Sequence, residues 1–345
     1  MAATIKTIAK ETGLSLTTVS KYLNGGTVLA ENKALIDASI KRNGYHINYI
    51  AKNLKTGHTN TVGVVLPSFQ DVFHTGLFHY VEYYLREKGY SVQIVGSGGT
   101  LENEKKSIMT LINRQVDAIF LLPIHGADEN ARYVLQNNVP LIVGDQYLEG
   151  VNADFVLFDN YNASKTAVQK LIDAGHKKIA FIGTDIKYYT ANERHRGYRE
   201  TLIENGIPIK EEYEVLCSDF NIEMAKEGMR KILNLPKPPT AIFATNLYMT
   251  IGMISVLNER NMKLGQDISA IGYDSIFISD IVQPKLTLIE QPLDKAGKLI
   301  ADVIVGRMKQ KDEKQELKIY EIPTTLIEGD SVKNINNTVM DVNSK

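Results

Sequence analysis

The chain has 345 residues, of which 43% are hydrophobic and 23% are charged, and its formal net charge is −1. This length predicts at least two domains, and the composition is typical neither of a disordered protein nor of a fibrous repeat. No stretch approaches the roughly 20 consecutive apolar residues of a membrane-spanning helix, and the charged N-terminus argues against a signal peptide. The single cysteine, Cys217, excludes a disulfide framework. We therefore expect a cytoplasmic protein with no membrane partner.

Charge is divided unevenly along the chain. Residues 1–60 carry eight Lys or Arg and three acids, a net charge of +5, whereas the remainder carries 31 bases and 37 acids, a net charge of −6. A small basic segment joined to a large acidic one favours a head that binds a polyanion. Charge alone does not separate DNA from RNA or from a membrane surface.

Residues 1–46 are predicted to form three short helices. Thr4 is a plausible N-cap for the first helix, which Gly13 ends, and Ser15 can cap the second. A third helix stops at Gly44. Two helices separated by a short glycine-containing turn are typical of a helix-turn-helix, although an ordinary three-helix subdomain fits the spacing equally well.

From residue 61 onward, short apolar runs alternate with amphipathic segments, which predicts parallel sheets with right-handed helical crossovers. The runs are VGVVLP (62–67), YSVQIVG (90–96), DAIFLLP (117–123), PLIVGD (140–145), KKIAFIG (177–183), TAIFAT (240–245) and ISAIGYD (268–274). About ten strands suit two doubly wound subdomains with a cleft between them better than one sheet. The predicted subdomains are 61–160 plus 292–322, and 161–291 plus 323–330, with a tail at 331–345.

The sequence contains no recognisable catalytic signature. The glycine cluster at 96–99 lacks the dinucleotide fingerprint, and no P-loop, nucleophile elbow or HExxH occurs. His74 and His79 are five residues apart, on different helix faces, so they are not a metal pair. We expect no enzymatic activity, no cofactor and no metal.

Several segments together resemble the lac repressor (LacI/GalR) family of bacterial transcriptional regulators. TIKTIAKETGLSLTTVSKYLNGG (4–26) resembles the family's helix-turn-helix, and NGYHINYIAKNLKTGHTNTVGVVLP (43–67) resembles its hinge helix and first strand. VDAIFLLP, HKKIAFIG, NERHRGYRE, FATNLYMTIG, ISAIGYD and LTLIEQPLDKAG follow in the family's order. The likeness covers about residues 4–330. It implies an all-α helix-turn-helix domain (1–46), a hinge helix and linker (47–60), and an α/β periplasmic-binding-protein-like effector and dimerisation domain of two doubly wound subdomains (61–330).

The resemblance implies a set of DNA-contacting residues. Leu16 and Thr17 occupy the family's main base-specificity positions, and Lys21 stands where an arginine is usual. Lysine lacks the planar two-point contact of arginine, so a phosphate contact is nearly as good an interpretation of Lys21. Further positions expected to contact DNA, chiefly its phosphates, are Thr4, Thr18, Ser20, Asn24 and Lys33.

Three further DNA-contacting positions fall in the hinge. Leu54 matches the leucine that opens the central base step, Ala51 matches the small residue that lets two hinge helices approach, and Asn48 begins the hinge. Ile47 replaces a common proline, which leaves the start of this helix less rigid. A flexible linker is the alternative interpretation.

The resemblance also implies an effector site between the subdomains. Asp274 and Asp145 would accept hydrogen bonds from a ligand, Arg194 would donate a two-pronged contact, and Asn246 would add an amide. Phe73 and Phe220 would supply flat apolar faces. Interdomain salt bridges are the alternative role for these charged residues.

We therefore predict a sequence-specific DNA-binding regulator, most consistent with a repressor. Its partners would be double-stranded DNA with a pseudo-palindromic operator, a small effector such as a sugar or sugar derivative, and a second copy of the chain in a homodimer. The last residues lack an apolar heptad, so a tetramerising coiled coil is not expected. The alternatives are control by a nucleobase or by a phosphorylated carrier protein, and, more distantly, a solute-binding receptor.

Overall fold

A computed structural model describes residues 3–45, 58–274, 276–309 and 316–336. It divides into two compact units, residues 1–59 and residues 60–345. Within the described residues no helix has both the length and the apolar composition needed to cross a membrane. The hinge positions Asn48, Ala51 and Leu54 lie outside the described residues.

The first unit contains three helices. They are α1 (Ile5–Thr12), α2 (Leu16–Leu23) and α3 (Ala30–Asn43). Thr4 forms a capping box with Thr7, and the Ser15 hydroxyl accepts from the Thr18 amide at 3.1 Å. Leu29 begins α3 without a side-chain cap, as its apolar side chain dictates. The small core of this unit includes Ile8, Val19, Ile36 and Ala9.

The second unit contains two six-stranded sheets. The first sheet has the order β11-β5-β4-β3-β1-β2, and every neighbouring pair is parallel. Its strands are β1 (Thr61–Leu66), β2 (Ser91–Gly96), β3 (Ala118–Leu121), β4 (Leu141–Gly144), β5 (Asp154–Phe158) and β11 (Ile319–Ile322). Its helices are α4 (Val72–Glu87), α5 (Leu101–Asn113), α6 (Asp128–Gln136) and α12 (Leu293–Lys309).

Alternating side chains of the first sheet enter two cores. Val64 packs with α4 and α12 on one face, whereas its neighbour Val65 packs with α5 and α6 on the other. Both faces are therefore covered, as expected for a parallel sheet.

The second sheet has the order β12-β10-β9-β8-β6-β7, with only β12 antiparallel to its neighbour. Its strands are β6 (Ile179–Thr184), β7 (Glu214–Cys217), β8 (Ala241–Ala244), β9 (Ser269–Tyr273), β10 (Thr287–Glu290) and β12 (Thr325–Ile327). Its helices are α7 (Asn160–Asp173), α8 (Tyr189–Glu204), α9 (Ile222–Leu233), α10 (Leu247–Glu259) and α11 (Ile276–Ile281), and Glu211–Tyr213 forms a short 3₁₀ turn. Cys217 is buried at the end of β7.

The chain crosses between the two sheets three times. It passes from β5 to α7 at Asp159, returns from β10 to α12 through Gln291 and Pro292, and crosses again between β11 and β12. The last crossing consists of Pro323 and Thr324, and the proline cannot donate to the ladder that β11 forms. These three short segments connect the two subdomains, and we call them the interdomain hinge, as distinct from the predicted hinge helix at 47–60.

The predicted tail begins too early. Ser331 is fully buried, and its hydroxyl accepts from the Thr287 amide at 2.8 Å and donates to the Ala270 carbonyl at 2.6 Å. His176 reaches the Lys333 carbonyl at 3.1 Å. Residues 331–336 therefore pack on the second subdomain, against the beginnings of β9 and β10 and the end of α7, which the predicted boundary at 330 does not reflect.

Candidate functional site

A cleft of about 1270 Å³ lies between the two subdomains of the second unit. It is bounded by residues that follow the carboxyl ends of strands in both sheets, where ligands of open α/β sheets bind. All six residues predicted to bind an effector line it: Phe73, Asp145, Arg194, Phe220, Asn246 and Asp274. The fold thus brings together positions that are spread over some two hundred residues of sequence.

Backbone geometry aims the two acids into the cleft. Asp145 follows β4 with φ of 64°, and Asp274 follows β9 with φ of 56°. Left-handed conformations are uncommon outside glycine, although Asp tolerates them better than most residues. Each strand therefore ends in a turn that directs a carboxylate toward the space between the sheets.

Arg194 is held by several neighbours at once. It is only 6% exposed, its Nε donates to Asn160 Oδ1 at 2.8 Å, and one Nη donates to the Thr245 carbonyl at 2.6 Å. Its guanidinium also lies 3.9 Å from the centre of the Tyr273 ring. Among the described residues no carboxylate lies within ion-pair distance of it, so its charge acts on both cleft acids without a direct salt bridge.

Gln291 supports Asp274 from the interdomain hinge. Its amide nitrogen donates to the two carboxylate oxygens at 2.7 and 3.0 Å. If the Gln291 amide were turned the other way, its oxygen would face Asp274 and its only hydrogen bond would be the one from Arg194 at 3.5 Å. We therefore assign the orientation that makes the two shorter hydrogen bonds to Asp274. Gln291 was not among the predicted site residues, although it lies within the motif LTLIEQPLDKAG.

Burial dominates the electrostatics of both acids. It raises the pKa of Asp274 to about 7, Arg194 opposes this increase, and the nearby charge of Asp145 adds to it. Burial likewise raises the pKa of Asp145, again opposed by Arg194. Asp145 Oδ1 is buried without a hydrogen-bond partner, whereas His74 Nδ1 lies 3.2 Å from Asp71 Oδ1. An unpartnered acceptor in a cleft is a place where a ligand donor would be stabilising.

Asn246 and the phenylalanines occupy the walls of the cleft. Asn246 Oδ1 caps α10 by accepting from the Met249 amide at 2.9 Å. Phe73 lies edge-on to Phe158 with ring centres 5.8 Å apart. Phe220 lies at the mouth of the cleft and is 37% exposed.

One hydrogen bond spans the cleft and was not predicted. Asp71 caps α4 by accepting from the His74 amide at 2.8 Å, and its other oxygen accepts from the Tyr248 hydroxyl at 3.2 Å. The two residues belong to different subdomains and are 177 positions apart, so no local pattern connects them. His195, for which the sequence suggested no role, pairs with Glu214 at 2.5 Å.

The predicted DNA-contacting residues of the first unit lie mostly on its surface. Thr4, Leu16, Thr17, Lys21, Asn24 and Lys33 are exposed, and Thr18 and Ser20 are half-buried. Leu16 is 46% exposed although it is apolar. Thr18 shares a 2.9 Å hydrogen bond with Ser15, and Asn24 Nδ2 donates to the Ser20 carbonyl at 2.8 Å. The exposed face of α2 thus presents one apolar, one hydroxyl and one cationic side chain to solvent.

Across the described ranges, no three His, Cys, Asp or Glu side chains are arranged to hold a metal ion.

The chain is similar to known proteins over nearly its whole length. Residues 168–332 match a periplasmic binding protein-like domain model. The HTH-type transcriptional repressor PurR of Photorhabdus laumondii is 31% identical over 338 residues, covering 96% of this chain and 97% of that protein. The ribose operon repressor of Escherichia coli K12 is 31% identical over 317 residues, covering 91% and 96%.

Solved structures show the same fold. A complex of the transcriptional regulator CelR with cellobiose has 25% identity and a TM-score of 0.73, covering 95% of this chain and 99% of that one. A lac repressor dimer bound to operator and the anti-inducer ONPF has 21% identity and a TM-score of 0.84, covering 96% and 100%.

Proposed function

The chain belongs to the lac repressor (LacI/GalR) family of bacterial transcriptional repressors, and on that premise we propose that it binds a pseudo-palindromic operator as a homodimer under the control of a small molecule. The observation that carries the proposal is the convergence of Asp145, Arg194, Asn246 and Asp274 in one cleft of a hinged pair of subdomains. A ligand that favours one angle between the subdomains would shift the balance between conformations of high and low DNA affinity.

The charge of the cleft supports an unphosphorylated sugar as the effector. Asp145 is buried and Asp274 is half-buried, whereas Arg194 already donates to neutral partners. Acceptors outnumber free donors at this point, so the ligand should donate several hydrogen bonds, as sugar hydroxyls do. A phosphate would be repelled by the two acids. A nucleobase or a phosphorylated carrier protein remains the alternative effector.

The DNA-binding part of the proposal is tested by gel shift at two salt concentrations. A palindromic operator, selected from random sequences, is titrated with the full chain at about 50 and 200 mM salt. Because exposed Lys21 and Lys33 would neutralise phosphates, affinity should fall steeply as salt rises. Equal affinity at both concentrations would reject DNA binding through the basic head.

The effector site is tested by Asp274→Ala. Thermal-shift screening against sugars, sugar phosphates and nucleobases first identifies the ligand, which stabilises by mass action. Titration calorimetry should then show lost ligand affinity in the variant, and gel shift should show operator affinity unchanged but no longer responsive to ligand. Asp280→Ala, an exposed acid on α11, is the matched control. Undiminished ligand affinity in Asp274→Ala would exclude this pocket.

A further inference from the structure

The cleft has an inner and an outer region that differ in chemistry. Its inner region is polar and buried, with Asp145, Arg194 and Asn246 between 6% and 8% exposed. Toward solvent the lining becomes aromatic, with Tyr188, Phe220 and Tyr248 on the wall of the second subdomain. The two regions therefore recognise different parts of a ligand.

The aromatic side chains form a row across three elements. The ring centres of Tyr188 and Phe220 are 5.4 Å apart, and those of Phe220 and Tyr248 are 6.4 Å apart, in both cases edge-to-face. Tyr188 precedes α8, Phe220 lies between β7 and α9, and Tyr248 lies in the first turn of α10. We call these three residues the aromatic row.

Core packing does not explain this row. Among the described residues, Tyr188 and Phe220 belong to none of the hydrophobic clusters, whereas Tyr248 packs partly on one of them. Phe220 keeps 37% of its surface exposed. Large aromatic rings exposed at the mouth of a cleft offer an apolar surface that a bound ligand can cover.

Residues of the opposite wall contact both ends of the row. Asp71 accepts a hydrogen bond from the Tyr248 hydroxyl at 3.2 Å, and the His125 ring lies 6.0 Å from that of Tyr188. The row is thus held from the first subdomain as well, so its rings are already oriented before a ligand binds.

The size of the cleft also exceeds the needs of one sugar ring. Its volume of about 1270 Å³ lies above the roughly 300–1,000 Å³ of most small-molecule pockets. The inner polar groups, by contrast, are clustered: Gln291 contacts Asp274 at 2.7 Å, and Arg194 influences both acids. A single sugar ring held by these clustered groups would therefore leave the aromatic row without a ligand contact.

We propose that the aromatic row is a second sugar subsite, so that the effector is a disaccharide or longer glycoside whose second ring lies against Tyr188, Phe220 and Tyr248. This inference rests on the proposed function, in which the cleft binds a sugar. The carbon-bound hydrogens on one face of a pyranose ring make that face apolar, and this face matches the aromatic rings, while its hydroxyls remain at the wet mouth.

The test compares monosaccharides with their own disaccharides on the full chain. Calorimetric titrations use glucose with cellobiose and maltose, galactose with lactose, and xylose with xylobiose. At least one disaccharide should bind about tenfold or more tighter than its component sugars. Tyr188→Ala should reduce that advantage roughly three- to tenfold and leave monosaccharide affinity unchanged.

Two controls separate stacking from general damage. Tyr188→Phe keeps the ring and should keep the advantage, and Tyr83→Ala removes a 42% exposed tyrosine that does not line the cleft and should change neither affinity. Sugar binding without a disaccharide advantage, or equal losses for both ligand types, overturns this inference alone. If no sugar binds but a nucleobase does, this inference and the proposal of a sugar effector are both wrong.

Discussion

Asp274 is a proposed binding residue that lowers the stability of the folded protein. It combines a φ of 56° with a buried carboxylate whose pKa is raised to about 7. In the unfolded chain the same carboxyl ionises near its ordinary value of 3.8. Between these two pH values the folded protein holds a proton that the unfolded chain has lost, so stability decreases as pH rises through this window.

We predict that Asp274→Asn raises the melting temperature of the ligand-free protein at pH 8, and that the difference from wild type shrinks toward pH 5. The asparagine cannot ionise, so it removes the buried charge while keeping a partner for Gln291. Calorimetric melts of both proteins at several pH values measure this. Asp280→Asn serves as the control for an exposed acid, and a pH-independent difference for Asp274→Asn would contradict the interpretation.

Individual residues were predictable where the family resemblance supplied a position, and unpredictable where only the fold creates a contact. Arg194, Asn246 and Asp274 lie in the motifs NERHRGYRE, FATNLYMTIG and ISAIGYD, whereas Phe73, Asp145 and Phe220 were predicted from their positions in the resemblance alone. Asp71 and Tyr248 were not predicted, because each sits in an ordinary helix start, and only the closure of the cleft brings them within 3.2 Å. The six cleft residues are proposed to contact the ligand.

At the scale of elements, His176 connects α7 to the C-terminal segment. Its Nδ1 lies 2.9 Å from Thr240 Oγ1 and its Nε2 lies 3.1 Å from the Lys333 carbonyl. The carbonyl requires a donor, so Nε2 carries the hydrogen and Nδ1 accepts from the hydroxyl. Burial lowers the pKa of His176 below its ordinary value of 6.5. Its contribution to stability is therefore complete above that pH and is lost as pH falls, because the unfolded chain takes up the proton first.

We expect His176→Gln to flatten the fall in melting temperature between pH 7.5 and 5.5. Glutamine can occupy both hydrogen-bonding positions without titrating. Amide hydrogen exchange should also show that residues 331–336 lose protection at pH 5.5 in wild type but less so in the variant. The exposed His79→Gln is the control, and an unchanged pH profile in His176→Gln would refute this role.

Element types were more predictable than element partners. The alternation of apolar runs correctly predicted most strands and the doubly wound subdomains. Residues 331–336 were misjudged because their polar composition hides backbone pairing to β9 and α7. By contrast, the predicted division at 322/323 falls between β11 and β12, which are two residues apart and join different sheets.

At the scale of the whole molecule, the two compact units divide the proposed tasks. The charge of +5 over residues 1–60 and of −6 over the remainder assigns polyanion binding to the first unit. The effector cleft lies wholly within the second. Each unit has its own core, so neither needs the other to bury its apolar side chains.

We predict that a chain of residues 60–345 binds the effector with an affinity within about threefold of the full-length protein and shows no detectable operator binding. The first expectation follows because every residue lining the cleft lies after position 60. Calorimetry and gel shift on the same preparation measure both. A large loss of ligand affinity on truncation would show that the first unit contributes to the cleft.

The three crossings between the two sheets also determine the order in which the two subdomains are completed during translation. When the ribosome has completed β5, the first sheet still lacks its edge strand β11 and the helix α12 that covers Val64 and Phe120. Both arrive only after all of β6 to β10 has been made. The first subdomain, whose strands β1 to β5 are translated first, therefore cannot complete its sheet until most of the second subdomain has been made, and until then α12 does not cover the face with Val64 and Phe120.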